Sequence, residues 1–269
     1  MSVITISRGP FSGGEMLAEC LSHELGFRCV DREVIVERAA AHGISQEELR
    51  AALEKPPTLI EWLQHRKYLY LVLIQAALIE EVKAGKVVYH GNAGHLLLQG
   101  GPPLLRVRIV APSAFRVKLA QDRLKLTTDE ALDYIARADQ DRRKWTQYLY
   151  GIDWSDPTNY DVVLNLESID IAGACQTVAA LARRKSFELT PAWHDAMEDL
   201  ALASRVRTEL AFNEATAHME VEVAAKAKTV RITGSVSNLW EVEQVRLIAA
   251  SVPGVQSVNL DELASPVRP

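Results

Sequence analysis

Gly9, Ser12, Gly13 and Gly14, in the stretch ITISRGPFSGGEMLAECL, stand between a β-rich run and a helical run. Glycines at such a junction let backbone N–H groups converge on one point, and the helix dipole adds partial positive charge there. Anions bind such points, and the full nucleotide-binding form of the pattern is G-x-x-x-x-G-K-[ST]. Here Gly9 to Gly14 supplies the frame, but Glu15 and Met16 follow. A lysine would touch the transferred phosphates, and a hydroxyl would hold magnesium. Glutamate has the wrong charge for the first task, and methionine offers no hard oxygen for the second. Taken alone, the stretch is open between a phosphate cradle and a glycine turn that binds nothing.

A second group with chemical potential is Arg137, Asp139, Asp141, Arg142 and Arg143, in RADQDRRKW. Spaced arginines can neutralise charge on a transferring phosphoryl group; the same residues can also be a solvated helix face with i,i+4 pairs. Asp31 reads as a helix cap. His90 and His95 read as packed core or rim histidines in preference to a metal site. The three cysteines, Cys20, Cys29 and Cys175, are odd in number and widely spaced. They suggest neither a disulfide framework nor a zinc pattern, and a reducing compartment fits them. Cys20 and Cys29 are expected to be buried as small apolar groups.

These residues need a scaffold, and the hydrophobic pattern supplies one. Strands are expected at Val3–Ser7, Arg28–Val30, Val87–His90, Leu105–Val110 and Asp161–Leu166. Helices are expected between and after them, at Gly13–Leu25, Arg32–His42, Gln46–Leu53, Leu59–Ala84, Ala114–Leu124, Thr128–Leu149 and Ile171–Arg184. Alternation of this kind predicts an α/β fold with a parallel sheet covered by helices on both faces. Thr127 with Glu130 reads as a capped helix start. The Leu59–Ala84 helix is dense in apolar residues and reads as core plus a dimer face, which makes a homo-oligomer an expectation. After RRKSFELTPAW the rhythm changes to helix, two alternating runs (HMEVEV and TVRITGSV), helix and short strand, a small α+β unit. The expected domains are residues 1–186 and 195–264, with a linker at 187–194.

Composition narrows the class. Apolar residues make up 48% of the 269 and charged residues 24%, ordinary for a globular chain with a real core. A net charge of −5 gives no case for a nucleic-acid partner. The most apolar run, Tyr68 to Ile79, is too short to span a bilayer, and the N-terminus has no signal-peptide pattern. A soluble, cytoplasmic protein is expected.

The segments ITISRGPFSGG, GFRCVDREVI, KVVYHGNAGHLLL, RVRIVAPSAFR, DQDRRKW and GIDWSDPTNYDVVLN occur in that order. In this they resemble the cytidylate kinase-like family of nucleoside-monophosphate kinases, over roughly Val3 to Ala182. The resemblance implies a P-loop fold with a closing lid, and phosphoryl transfer from ATP, with Mg²⁺, to a cytidine or related monophosphate. It implies donor-phosphate contacts at Arg8, Gly9, Ser12, Gly13 and Gly14, and acceptor contacts at Asp31, Arg32, Asn92 and Arg116. It also implies catalytic lid arginines at Arg137, Arg142 and Arg143. No residue is assigned as a metal ligand. The departures are Glu15, Met16 and Asn92, the last in place of an arginine. Losing one phosphate contact costs roughly 10²–10³ in rate, so a weakened kinase is expected, the alternative being an inactive nucleotide sensor or scaffold.

The tail resembles a BON domain through VRITGSV and VEQVRLIAASVPGVQSVNL. That family is associated with phospholipid attachment and with protein partners. The acidic surplus of this chain lies mostly in the tail, which opposes anionic lipid and favours a docking or oligomerisation module.

Overall fold

A computed structural model describes residues 2–41, 43–54, 66–91, 93–219 and 221–264. The first unit is a five-stranded, all-parallel sheet of strands β1 (Val3–Arg8), β2 (Arg28–Asp31), β3 (Val87–Gly91), β4 (Leu105–Val110) and β5 (Val162–Asn165), in the order β2-β3-β1-β4-β5. Central β1 is buried on both sides because both faces are covered. Ile4 and Ile6 join one core with Leu17, Leu21, Val107 and Val178. Val3 joins the opposite core with Ile35, Leu73, Leu78 and Trp145.

The first face is covered by α1 (Gly14–Leu25) and α8 (Ile171–Ala182). The second is covered by α2 (Arg32–Ala40), α3 (Gln46–Glu54) and α4 (Arg66–Val82). A short α5 (Gly94–Leu97), not expected from the pattern, follows β3. Two further helices, α6 (Ser113–Leu124) and α7 (Thr128–Tyr150), pack on each other and reach the C-terminal end of the sheet. The start of α7 carries the expected capping box: Thr127 accepts from the Glu130 N–H, and Glu130 accepts from the Thr127 N–H.

The second unit holds α9 (Pro191–Phe212), β6 (Val221–Lys226), β7 (Thr229–Ser235), α10 (Leu239–Ser251), β8 (Ser257–Asn259) and β9 (Leu263–Ala264). β6 and β7 form a hairpin across Ala227 and Lys228, both at positive φ (47° and 65°), as a tight two-residue turn requires. Helix α9 belongs to two cores. Trp193, Met197 and Ala201 pack into the first unit, while Leu202, Val206 and Leu210 pack into the second.

This helix revises one expectation. The apolar face of α4 lies under α9 of the same chain, so it is not an open dimer face. Residues 59–65 of the expected Leu59–Ala84 helix lie outside the described residues. The cysteines also differ from expectation. Cys20 and Cys175 form a disulfide, with Cα atoms 6.1 Å apart, and Cys29 is free and exposed. Packing of α1 on α8 brings together two residues separated by 155 positions, which sequence spacing alone does not display. Among the described residues no helix is long and apolar enough to cross a membrane.

Candidate functional site at the end of the central strand

Strand β1 ends at Arg8, and the chain then turns through Phe11 (φ 57°) and Gly13 (φ 82°) into α1. Gly13 caps the helix without a side-chain acceptor, and the first intrahelical bond is Leu17 N–H to Gly13 O at 3.0 Å. The N–H groups of Gly14, Glu15 and Met16 precede it, and these residues line a cavity of about 280 Å³. Ser12 Oγ donates to Gly9 O at 3.0 Å and closes the loop on itself. Gly14 is required by its neighbour, because a Cβ there would sit 2.3 Å from Arg8 Cδ. Arg8 can therefore fold over the loop only above a glycine.

The electrostatics of this cavity are lopsided. The Arg8 guanidinium has a buried Nε without a hydrogen-bond partner among the described residues. Burial pulls its pKa down, opposed by the Glu15 charge. Arg142, on α7, donates to the Arg8 carbonyl oxygen. Burial, and then the adjacent Arg8 charge, depress the Arg142 pKa to about 10. The nearby carboxylates are engaged elsewhere. Glu15 accepts from Arg123, whose bond holds the Glu15 carboxyl below its usual range. Asp31 Oδ1 caps α2 by accepting from the Val34 N–H at 2.9 Å. Glu33 binds Arg32 at 3.1 Å and Arg50 at 2.6 Å. His90 is buried at the rim with Nδ1 unpartnered among the described residues, and burial, then the Arg8 charge, lower its pKa from the usual imidazole range.

The structure gathers Arg8, Ser12, Gly13, Gly14, Asp31, Arg32 and Arg142 around this cavity. It does not gather every residue singled out from the sequence. Arg116 does not face the cavity: it grips Asp139 through two nitrogens, at 2.7 and 3.0 Å, and donates to the Pro10 carbonyl at 3.0 Å. It braces the loop against α7, and Gly9 makes room for it, since a Cβ there would meet Arg116 Nη2 at 2.8 Å. Arg137 is exposed and sits 3.8 Å from Asp133, outside the cavity. It precedes Arg142 by five residues, which turns it about 140° around the helix. Arg143 is exposed and also lies outside. Asn92 lies outside the described residues.

Sequence reasoning passed over Arg123, Phe11 and Tyr134, all of which line the cavity. The Phe11 and Tyr134 rings lie 5.8 Å apart, tying the loop to α7. Arg123 was findable: it follows Arg116 by seven positions on one helix, hence on nearly the same face, and Glu15 needed a counter-charge.

Residues 3–168, more than half of the chain, match the cytidylate kinase-like family. The chain belongs to that family. Residues 198–264 match the BON domain. A cytidylate kinase of Methanothrix thermoacetophila is 29% identical over 184 residues, covering 67% of this chain and 98% of the relative. A cytidylate kinase of Pyrococcus horikoshii is 27% identical over 179 residues, covering 66% of this chain and 86% of the relative. An uncharacterized protein from Eubacterium ventriosum has a solved structure that matches with a TM-score of 0.54 at 16% identity, over 68% of this chain and all of that one, which bears on the fold alone.

The cytidylate kinase-like cavity of this chain is suited to phosphate oxygens, with loop N–H groups on one side and Arg8 and Arg142 on the other. Met16 presents a thioether, Glu15 is held by Arg123, and no cluster of three metal-ligating side chains exists among the described residues.

Proposed function

We propose that this protein binds a nucleoside triphosphate through the Gly9–Gly14 loop, Arg8 and Arg142, and that it transfers phosphate from ATP to (d)CMP slowly. A nucleotide kinase-like role is supported by the family match and by relatives named cytidylate kinase. The observation that carries the binding half is the pair Arg8 and Arg142: two guanidiniums taken out of water beside the loop, while among the described residues Glu15, Asp31 and Asp139 are bonded elsewhere. Desolvating a cation is costly unless an anion answers it, so this pair is built for a ligand charge.

The slowness follows from Glu15 and Met16. The loop lysine and the hydroxyl are missing, and a carboxylate occupies the first turn. ATP would bring its own Mg²⁺, as kinases of this family do, with no dedicated ligand set from the chain. Arg32 and Asp31, which line the same cavity, are assigned to the acceptor phosphate. The BON domain is assigned a protein partner in preference to phospholipid, on its acidic charge.

Phosphorus NMR of the full chain with ATP, Mg²⁺ and CMP tests this reading. New diphosphate signals from donor and acceptor, lost in Arg142→Gln, are the expected result. Saturable ATP binding with no diphosphate at high protein concentration would leave the inactive sensor as the answer. No binding at all would end the nucleotide reading.

A further inference from the structure

Glu15 stands in the first turn of α1, where the loop lysine of a nucleotide site would be, and it is half-exposed at the cavity wall. Its carboxylate accepts from Nη1 of Arg123, in the last turn of α6. Arg123 lines the same cavity, close enough for its charge to act on Arg8. A glutamate at a helix N-terminus is itself favourable, because it answers the dipole. It therefore serves as a built-in anion that draws a third guanidinium to the mouth of the loop. We propose that Arg123 is a phosphate-binding residue, positioned by Glu15, which supplies the cation missing from the loop.

The geometry permits this without breaking the pair. A guanidinium has five N–H donors in a planar fork, and Glu15 takes one hydrogen bond from it. The remaining donors reach a phosphate oxygen while Glu15 holds the fork in place. Lysine at position 123 would be a point charge with no such shared geometry. The cavity then holds Arg123 beside Arg8, Arg32 and Arg142, with Arg123 at the mouth of the loop.

This inference rests on the nucleotide reading above, and a double-mutant cycle separates the two. ATP binding is measured by calorimetry on the full chain for the wild type, Arg123→Gln, Glu15→Gln and the double variant, with thermal unfolding as the check on folding. If Arg123 contacts phosphate, the double variant binds ATP at least about tenfold more weakly than Glu15→Gln, as loss of a charge-assisted bond predicts. If Arg123 only neutralises Glu15, the double variant and Glu15→Gln bind alike, and the proposal is overturned. Arg123→Lys in the Glu15→Gln background keeps the charge but not the planar fork: ATP binding weaker than that of Glu15→Gln supports a bonded guanidinium, and binding equal to it overturns the contact. Absence of ATP binding by both the wild type and Glu15→Gln overturns the nucleotide reading itself and this inference with it.

Discussion

Replacing Arg142 with methionine is expected to stabilise the free protein and to remove its response to ATP. Arg142 is half-buried with its guanidinium desolvated, and its pKa is depressed to about 10, first by desolvation and then by Arg8. At about 1.4 kcal/mol per pKa unit, that depression from the ordinary arginine range is worth roughly 3 kcal/mol of unfavourable burial. Methionine has similar length and no charge. It forfeits the hydrogen bond to the Arg8 carbonyl, about 1 kcal/mol, and leaves a net gain of about 1–2 kcal/mol. The sign of the pH dependence is set by the same depression. The folded state sheds the Arg142 proton before the unfolded state does, so wild-type stability rises with pH from about 10 upward. At neutral pH the full penalty is present, which is where the variant is compared. Urea unfolding at about pH 7 measures the gain. The wild type is expected to gain a further ~2.7 kcal/mol at ATP concentrations of about 100 times its Kd, and Arg142→Met none. A variant less stable than wild type by more than about 1 kcal/mol, or one still stabilised by ATP, would refute the view of Arg142 as a desolvated cation awaiting an anion.

Gly14→Ala places a methyl 2.3 Å from Arg8 Cδ, so the expected outcome is loss of ATP binding with secondary structure retained, read by calorimetry and circular dichroism. Trp193→Ala removes an indole that is 4% exposed and donates to the Pro103 carbonyl at 3.0 Å. A loss of about 3–5 kcal/mol in urea unfolding is expected, and a loss below about 1 kcal/mol would show that α9 is not part of the first core. His95 is buried against the Tyr160 ring, 4.9 Å between centroids, and burial lowers its pKa to about 4. The unfolded state takes up this proton first on acidification, so stability falls from about pH 6.5 toward about pH 4. His95→Phe is expected to flatten that part of the urea-midpoint profile.

Much of the fold was legible because its signals are local. Strand and helix periods, the Thr127–Glu130 cap and the glycine loop each depend on residues a few positions apart. The strand at Val3–Arg8 and the helix at Gly14–Leu25 came out within a residue or so of expectation. The candidate site was legible in part. Arg8, Ser12, Gly13, Gly14, Asp31, Arg32 and Arg142 do share one cavity. Arg116 did not behave as expected, because an arginine beside a loop can face the ligand or brace the loop, and only the position of Asp139 on α7 decides between them.

By itself the sequence determined the order of elements, the glycine loop at the end of the first strand, its departures at Glu15 and Met16, and the small α+β tail. Tertiary structure alone decided which charges meet. It put Arg123 on Glu15, left Arg8 Nε without a partner among the described residues, turned Arg137 away, joined Cys20 to Cys175 and let α9 close both cores. The reason is physical. Backbone propensity and capping act between neighbours in the chain, whereas an ion pair or a disulfide needs two side chains within a few ångströms, and a parallel sheet with helical crossovers brings such partners together from positions more than a hundred residues apart.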